Sequence, residues 1–405
     1  MAITLSVIIS MLIGGYDFLS IPQIMAKSTQ SFSLMAVPFF ILAANFMNAL
    51  GMTQRIFDFA ASLVGFIRGG LAHVNVLASM IFAGISGAAV ADAAGLGTIE
   101  MRAMKDAGYD RGFAASVTIA SSTIGPIIPP SIMMVIYAIL ADVSIARIFL
   151  AGLIPGFLIG FILMLMIYLM VIFGYRQCPT PVPFMWSNVF KTSRAGILSL
   201  IAPLIILWGL VGGVVTPTEA GVLAIGYSLM IGAIYRSYKI KQLIKVIRDT
   251  VETTALIMYI TAVSSVMSWL MVNEGAAHQI SEWISEFSAS PFVYLIIINI
   301  FLIIVGCLLE TLPAMLITVP ILVPIATELS VDPVHFGIIV IFNLLVGIIT
   351  PPVGIGIYIL MAISGVGYGE LIRASFPFFI ALLLALCLIT FVPSISMFLP
   401  ELLLD

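Results

Sequence analysis

The stretch Gly125-Pro126-Ile127-Ile128-Pro129-Pro130-Ser131 lies inside an apolar run, 113–140, that is long enough to cross a bilayer. Each proline removes a backbone donor and clashes with the preceding turn, so a continuous helix cannot pass through it. The run is therefore expected as two half-helices around an unwound centre. Bare backbone at membrane depth is tolerated only inside protein or beside a cavity. A break of this kind is the usual frame of a binding site between half-helices. A second copy follows at Gly347-Ile348-Ile349-Thr350-Pro351-Pro352-Val353-Gly354.

Composition makes the membrane setting firm. Of 405 residues 62% are hydrophobic and 9% charged, and the mean hydropathy is +1.23; a soluble domain carries about 25% charged residues. The chain reads as an all-α polytopic membrane protein, its outer surface against membrane lipid. The short alternating strands of a β-barrel are absent. Cys178, Cys307 and Cys387 are scattered without metal spacing, which supports neither a disulfide framework nor a zinc site. No ATP-binding loop or nucleic-acid patch is present. The segment from Met1 to Gly15 lacks the basic start and cleavage site of a signal peptide.

In order, the expected elements are a helix at 2–16, a polar connection at 17–31, a span at 32–50 and an interfacial helix at 53–67. The segment 71–104 is too long for one span and reads as a re-entrant hairpin with its tip at 86–92. The broken span 113–140 and a helix at 148–173 follow, then a polar loop at 175–194. Helices at 195–215 and 219–235 are joined by Thr216-Pro217-Thr218. A basic loop at 236–248, a span at 251–272 and an amphipathic acidic helix at 274–287 come next. A second hairpin at 292–326 has its tip at 306–313. The second broken span at 335–363 and a last span at 371–397 complete the chain.

A constant offset in numbering, 222, maps Gly125 to Gly347, Pro129 to Pro351, Pro130 to Pro352, Pro155 to Pro377 and Gly84 to Gly306. The order of elements follows the same offset, which marks an internal repeat. Lys and Arg concentrate in 102–111, 176–194 and 236–248, and none occurs between Arg248 and Arg373. The positive-inside rule then puts the first hairpin's base in the cytoplasm and the second's outside, so the repeats are inverted. The helix at 195–215 has no counterpart. Either a further helix ahead of Met1 is missing, or the halves are asymmetric there.

Several segments together, FSLMAVPFFILAANFM (32–47), GGLAHVNVLASMIFAGISGAAVADAAGLGTI (69–99), GYDRGFAAS (108–116), GPIIPPS, SIARIFLAGLIPG (144–156), TPTEAG (216–221) and GIITPPVG, resemble the large membrane subunit of tripartite ATP-independent periplasmic (TRAP) transporters. The resemblance covers almost the whole chain. It implies an elevator-type importer of the bacterial inner membrane, not an enzyme, driven by sodium. Its partners would be a small membrane subunit and a periplasmic solute-binding protein, and its cargo an organic acid such as a dicarboxylate or acidic sugar. Ala88 stands where the family often has a serine, and the N-terminus is short for the family.

On that reading, 1–68 holds scaffold helices and the first arm helix, and 69–173 the first transport repeat. The segment 174–194 forms the inter-repeat cytoplasmic loop, 195–290 scaffold helices and the second arm, and 291–405 the second transport repeat. Sodium is a hard cation that takes oxygen ligands, and a broken helix offers free carbonyls. Site one pairs Ser86, Gly87 and Asp92 with Gly125, Ile128 and Pro129. Site two pairs Gly306, Glu310 and Thr311 with Gly347, Thr350 and Pro351. Between them Ser121, Ser122, Thr123 and Asn343 are candidate substrate contacts. Each also has a plainer reading. Asp92 and Glu310 can serve structure, the hydroxyls can bond back to helix carbonyls, and Asn343 can clasp two helices. Competing functions are a sodium-coupled carboxylate transporter without a binding protein, a channel, and an intramembrane hydrolase using Asp92 and Glu310; the last lacks a nucleophile beside a base.

Overall fold

A computed structural model describes residues 2–30, 32–86, 89–174, 178–179, 183–236, 240–275 and 290–404. All regular structure among the described residues is helical. Among the described residues seven helices are long and apolar enough to cross a membrane, or eight if a bent pair counts as one span. The exterior is apolar as well: Ile13 is 83% and Trp208 71% exposed. Such patches are a liability in water but match hydrocarbon.

The first half opens with α1 (Ala2–Gly14) and α2 (Ser20–Thr29). The expected polar connection at 17–31 is thus largely helix. Pro22 sits in its first turn, where a missing N–H costs nothing, and Ile21, Ile24 and Met25 pack around Val263, Val266 and Leu270. Next come α3 (Ala36–Ala49) and α4 (Met52–Val64), bent by 68° at Gly51. The facing helix pair consists of α5 (Gly70–Ser86) with α6 (Ala89–Ala94) and α7 (Leu96–Asp106). It is followed by α8 (Arg111–Ser122), α9 (Ile132–Leu140) and α10 (Ile145–Ile172).

The second half has α11 (Trp186–Val211), α12 (Pro217–Ile234), α13 (Ile240–Asn273), α14 (Pro291–Leu308), α15 (Thr311–Glu328), α16 (Pro333–Ile348), α17 (Ile355–Ser364), α18 (Tyr368–Phe391) and α19 (Ser394–Leu404). Three expectations are corrected here. The loop at 175–194 gives way to helix at Trp186, so Lys191 and Arg194 are helical. The basic loop at 236–248 is mostly the first turns of α13, a 34-residue helix, roughly 51 Å long. It contains no glycine or proline, and Arg248 pairs with Glu252 one turn on at 3.0 Å. The last span divides at Val392-Pro393 into α18 and α19. The amphipathic helix expected at 274–287 falls mainly outside the described residues.

The offset of 222 recurs in the helix boundaries. It carries α5 onto α14, the start of α8 onto the start of α16, α9 onto α17, and α10 onto α18, each closely matched in its bounds. It places α2 and α3 end to end within α13. Even the caps repeat. Asp110 accepts from Phe113 N at 2.8 Å, and Asp332, its counterpart at the same offset, accepts from Val334 N at 2.7 Å and His335 N at 3.1 Å. By the same mapping α11 has no partner in the first half. Thr216 and Glu219 form a reciprocal capping box that starts α12, which ends the preceding helix sharply.

The halves interlock through aromatic side chains. Tyr137 of α9 is fully buried, donates to Pro333 O at 2.6 Å and lies on the bare backbone of Gly337. A Cβ there would sit 2.4 Å from its ring. Phe113 of α8 meets Phe378 of α18 at 6.2 Å between centroids. Both breaks therefore belong to one continuous core.

Candidate functional site

The first break spans 123–131 between α8 and α9, and every residue in it is buried. Pro130 cannot donate to Pro126 O, one helical turn back. The Ser131 hydroxyl takes that place, donating to Pro126 O at 2.7 Å while accepting from Met134 N at 3.3 Å. One side chain thus closes the break and caps α9. Pro126 and Pro129 likewise cannot serve the carbonyls of Ser122 and Gly125. The Pro129-Pro130 and Pro351-Pro352 bonds are both cis.

Asp92, on α6, is 5% exposed and meets this break at Gly125. A Cβ on Gly125 would lie 1.9 Å from Asp92 Oδ2, so the carboxylate keeps this position only beside a glycine. Ile128 turns away, its side chain filling the groove over Gly156 of α10. Ser86 ends α5; Gly87 and Ala88 lie outside the described residues.

The second break, 349–354, is more open, with Pro351 and Pro352 exposed. Gly306 of α14 and Gly347 of α16 cross backbone to backbone; a Cβ on Gly347 would lie 2.4 Å from the Gly306 carbonyl carbon. Around that crossing Gly354 N donates to Cys307 O at 3.1 Å, and Cys307 Sγ donates to Thr350 O at 3.1 Å. Tyr368 donates to Pro352 O. The Ile348 and Thr350 carbonyls converge on Gly354, each 2.9 Å from where its Cβ would be, and Gly354 has φ +52°. A bare residue in the left-handed region is what lets two carbonyls turn to one point. Thr350 Oγ1 donates back to Val346 O at 2.8 Å.

At the tip facing this break, Glu310 is exposed and makes no side-chain cap to α15. Thr311 is 3% exposed, and its hydroxyl has no hydrogen-bond partner among the described residues. A buried hydroxyl left so costs about 1–3 kcal/mol, which makes its oxygen a good candidate ligand. No group of three or more His, Cys, Asp or Glu gathers among the described residues, so the oxygens offered are mainly carbonyls and hydroxyls.

The candidate substrate contacts are all buried and all engaged inward. Ser122 donates to Ile119 O at 2.8 Å and Thr123 to Ala120 O at 2.7 Å. Ser121 donates to Asn75 Oδ1 at 2.6 Å, and Asn75 Nδ2 donates to Thr118 Oγ1 at 2.7 Å. Asn343 Nδ2 donates to Asn299 Oδ1 at 2.5 Å and to Ile339 O at 2.8 Å. Asn75, Asn299, Ser131 and Cys307 were not among the sequence candidates. An amide inside a span needs partners, and that signal applies to Asn75 and Asn299 as it does to Asn343.

Comparison with known proteins bears on this arrangement directly. The family described as "Tripartite ATP-independent periplasmic transporter, DctM component" matches residues 1–395. The chain belongs to this family. It is 39% identical over 384 residues to the sialic acid TRAP transporter large permease protein SiaM of Vibrio cholerae, covering 94% of this chain and 89% of that one. It is 36% identical over 376 residues to the C4-dicarboxylate TRAP transporter large permease protein DctM of Pseudomonas aeruginosa, covering 93% and 88%. The YdaH transporter of Alcanivorax borkumensis shares the fold, with TM-score 0.64, 13% identity, and 90% and 86% of the two chains covered.

As a TRAP large permease the protein resides in the bacterial inner membrane, and its named relatives are permeases, not enzymes. Within this family member each of the paired breaks is touched by a facing helix pair and leaves backbone oxygens unspent by helix.

Proposed function

We propose that this chain is the membrane-embedded importer of a sodium-coupled system for an organic acid, a dicarboxylate or an acidic sugar. The observation that carries this reading is the repeated contact of a Pro-Pro break with a facing helix pair. Asp92 meets Gly125 in one repeat, and Gly306 meets Gly347 in the other. Site one then comprises Ser86, Gly87, Asp92, Gly125, Ile128 and Pro129. Site two comprises Gly306, Glu310, Thr311, Gly347, Thr350 and Pro351. Each sodium ion is held by carbonyls and hydroxyls at the negative ends of half-helices.

The Lys and Arg distribution supports opposite orientation of the two repeats, with both helix pairs re-entrant from opposite faces. The repeats 69–173 and 291–405 move as a transport unit against scaffold helices in 1–68 and 195–290, an elevator in which the bound ions and cargo travel with the moving unit. Ser121, Ser122, Thr123 and Asn343 face the cargo once their inward bonds are exchanged. The names of SiaM and DctM support the cargo class, and the family's tripartite name supports a small membrane subunit and a periplasmic binding protein as partners.

Proteoliposomes holding the large and small subunits test this reading. Uptake of labelled sialic acid or succinate is expected only with loaded binding protein outside and an inward sodium gradient. Uptake that persists with potassium replacing sodium on both sides sinks the coupling. Uptake that ignores omission of the binding protein favours an autonomous carboxylate carrier. Single-channel currents favour a channel.

A further inference from the structure

Two surface clefts are related by the same offset of 222 and differ in charge. The first, of about 430 Å³, is lined by Arg102, Lys105 and Asp106 of α7 and Arg111 of α8, and is closed by Ile363 and Ser364 of α17. The second, of about 470 Å³, is lined by Pro320, Pro324, Thr327 and Glu328 of α15 and closed by Ala141 and Asp142. Arg102 occupies the position of Pro324, Lys105 that of Thr327, and Ser364 that of Asp142. Among the described lining residues, the one fold feature thus carries three cations and a carboxylate in one repeat, and two carboxylates and no cation in the other.

The three cations are not consumed by the protein. Arg248 and Glu252 form an ion pair at i,i+4 spacing. Arg102 and Asp106 have the same spacing, yet neither they, Lys105 nor Arg111 make an ion pair or side-chain hydrogen bond among the described residues. The positive-inside rule accounts for the sign of a cytoplasmic segment. It does not account for cations of two helices meeting in one surface cleft that the other repeat borders. Like charges at such spacing repel, and an anion bridging them reverses the sign of the interaction. Guanidinium forks match carboxylate and phosphate oxygens two at a time. The volume is of the size of a small-ligand site, about 300–1,000 Å³, larger than a bare halide needs.

We propose that the cleft between α7, α8 and the end of α17 binds an anion bearing a phosphate or carboxylate group. Its placement on the cytoplasmic face rests on the proposed orientation of the repeats; the site itself does not. The acidic counterpart rejects the same anion, so binding is confined to one face of the membrane.

The reactivity of Lys105 toward a membrane-permeant amine reagent, read by peptide mass spectrometry, tests this on the full-length protein. Vesicles of phosphatidylcholine alone are compared with vesicles containing phosphatidylglycerol, and with phosphatidylcholine vesicles in inorganic phosphate or malonate. Severalfold slowing at Lys105 but not at the exposed Lys241 is expected in at least one arm. Slowing by phosphatidylglycerol identifies a lipid headgroup, and slowing by the soluble anions a free acid. The double variant Arg102→Gln/Arg111→Gln should lose the protection. Equal labelling in every arm, slowing shared equally with Lys241, or protection surviving in the double variant overturns the proposal. Labelling with an impermeant reagent reads sidedness separately, so an error in orientation is distinguishable from an absent site.

Discussion

Ser121 and Asn343 occupy the same position of the two repeats, related by the offset of 222, and each is hydrogen-bonded to an asparagine of the facing helix pair. Ser121 reaches Asn75 of α5 at 2.6 Å, and Asn343 reaches Asn299 of α14 at 2.5 Å. The asparagines themselves do not correspond, since Asn75 maps to Ile297. The repeats keep the position of the clasp and vary its chemistry. Each clasp lies close in sequence to a break, which ties the helix pair to the half-helix it faces.

Asn343→Leu should destabilise the protein, because half-buried Asn299 loses its nearest donor and keeps only the longer bond from Thr390 Oγ1 at 3.4 Å, at a cost of about 1 kcal/mol. Asn299→Leu should do the same, and the double variant should cost less than the two together. Polar clasps between membrane helices couple by about 0.6 kcal/mol on average and up to about 1.7 kcal/mol. A double-mutant cycle on thermal unfolding in detergent measures this; strict additivity would remove the clasp from consideration.

Gly125→Ala drives a methyl group into the Asp92 carboxylate, so the carboxylate must turn away from the break or α6 or the break must shift. Overpacking of this kind costs about 1–3 kcal/mol. Uptake should fall at least about tenfold for a displacement of roughly an ångström at the site, while membrane insertion and expression remain. Parallel uptake and surface-expression assays check this, and wild-type uptake would detach Asp92 and Gly125 from function.

Thr311→Val separates two roles of one hydroxyl. If Thr311 serves structure alone, removing a buried, unpartnered hydroxyl is neutral or raises stability by about 1 kcal/mol, with unchanged transport. As an ion ligand it behaves differently: the half-saturating sodium concentration should rise with no loss of stability. Sodium titration of uptake decides between them, and the second result is expected.

Thr216→Ala removes half of the capping box at the start of α12 and should cost about 0.5–2 kcal/mol. Sodium dependence should be untouched, because this helix packs mainly on α3 and α11, neither of which flanks a break. Thermal unfolding and uptake measured on one preparation check both halves of this expectation.

Much of this architecture is legible in the sequence because proline and glycine act locally. The paired prolines Pro129-Pro130 and Pro351-Pro352 interrupt their helices where single prolines such as Pro155 and Pro377 are carried inside continuous ones, and the offset between the pairs reveals the repeat. What escapes are helices without apolar spans. Ser20–Thr29 and the start of α13 are polar enough to read as loops, and only packing of Ile21 and Ile24 on Val263 and Val266 reveals the first as helix. The candidate site is legible in the backbone of its breaks and less so in its side chains. Gly125 lies against the Asp92 carboxylate, a contact between separate helical segments that no local pattern encodes. The inward bonds of Ser122 and Thr123 fit the plainer reading of such hydroxyls, which readily return to a carbonyl one turn back.

Whether the two breaks and their facing helix pairs hold the coupling ions can be read from equilibrium binding of radioactive sodium to the purified protein. Saturable binding that potassium does not displace is expected, reduced by Gly125→Ala, reduced by Thr311→Val, and reduced further when both are present. Absence of saturable binding, or binding unchanged in both variants, would refute the assignment of the ions to these breaks.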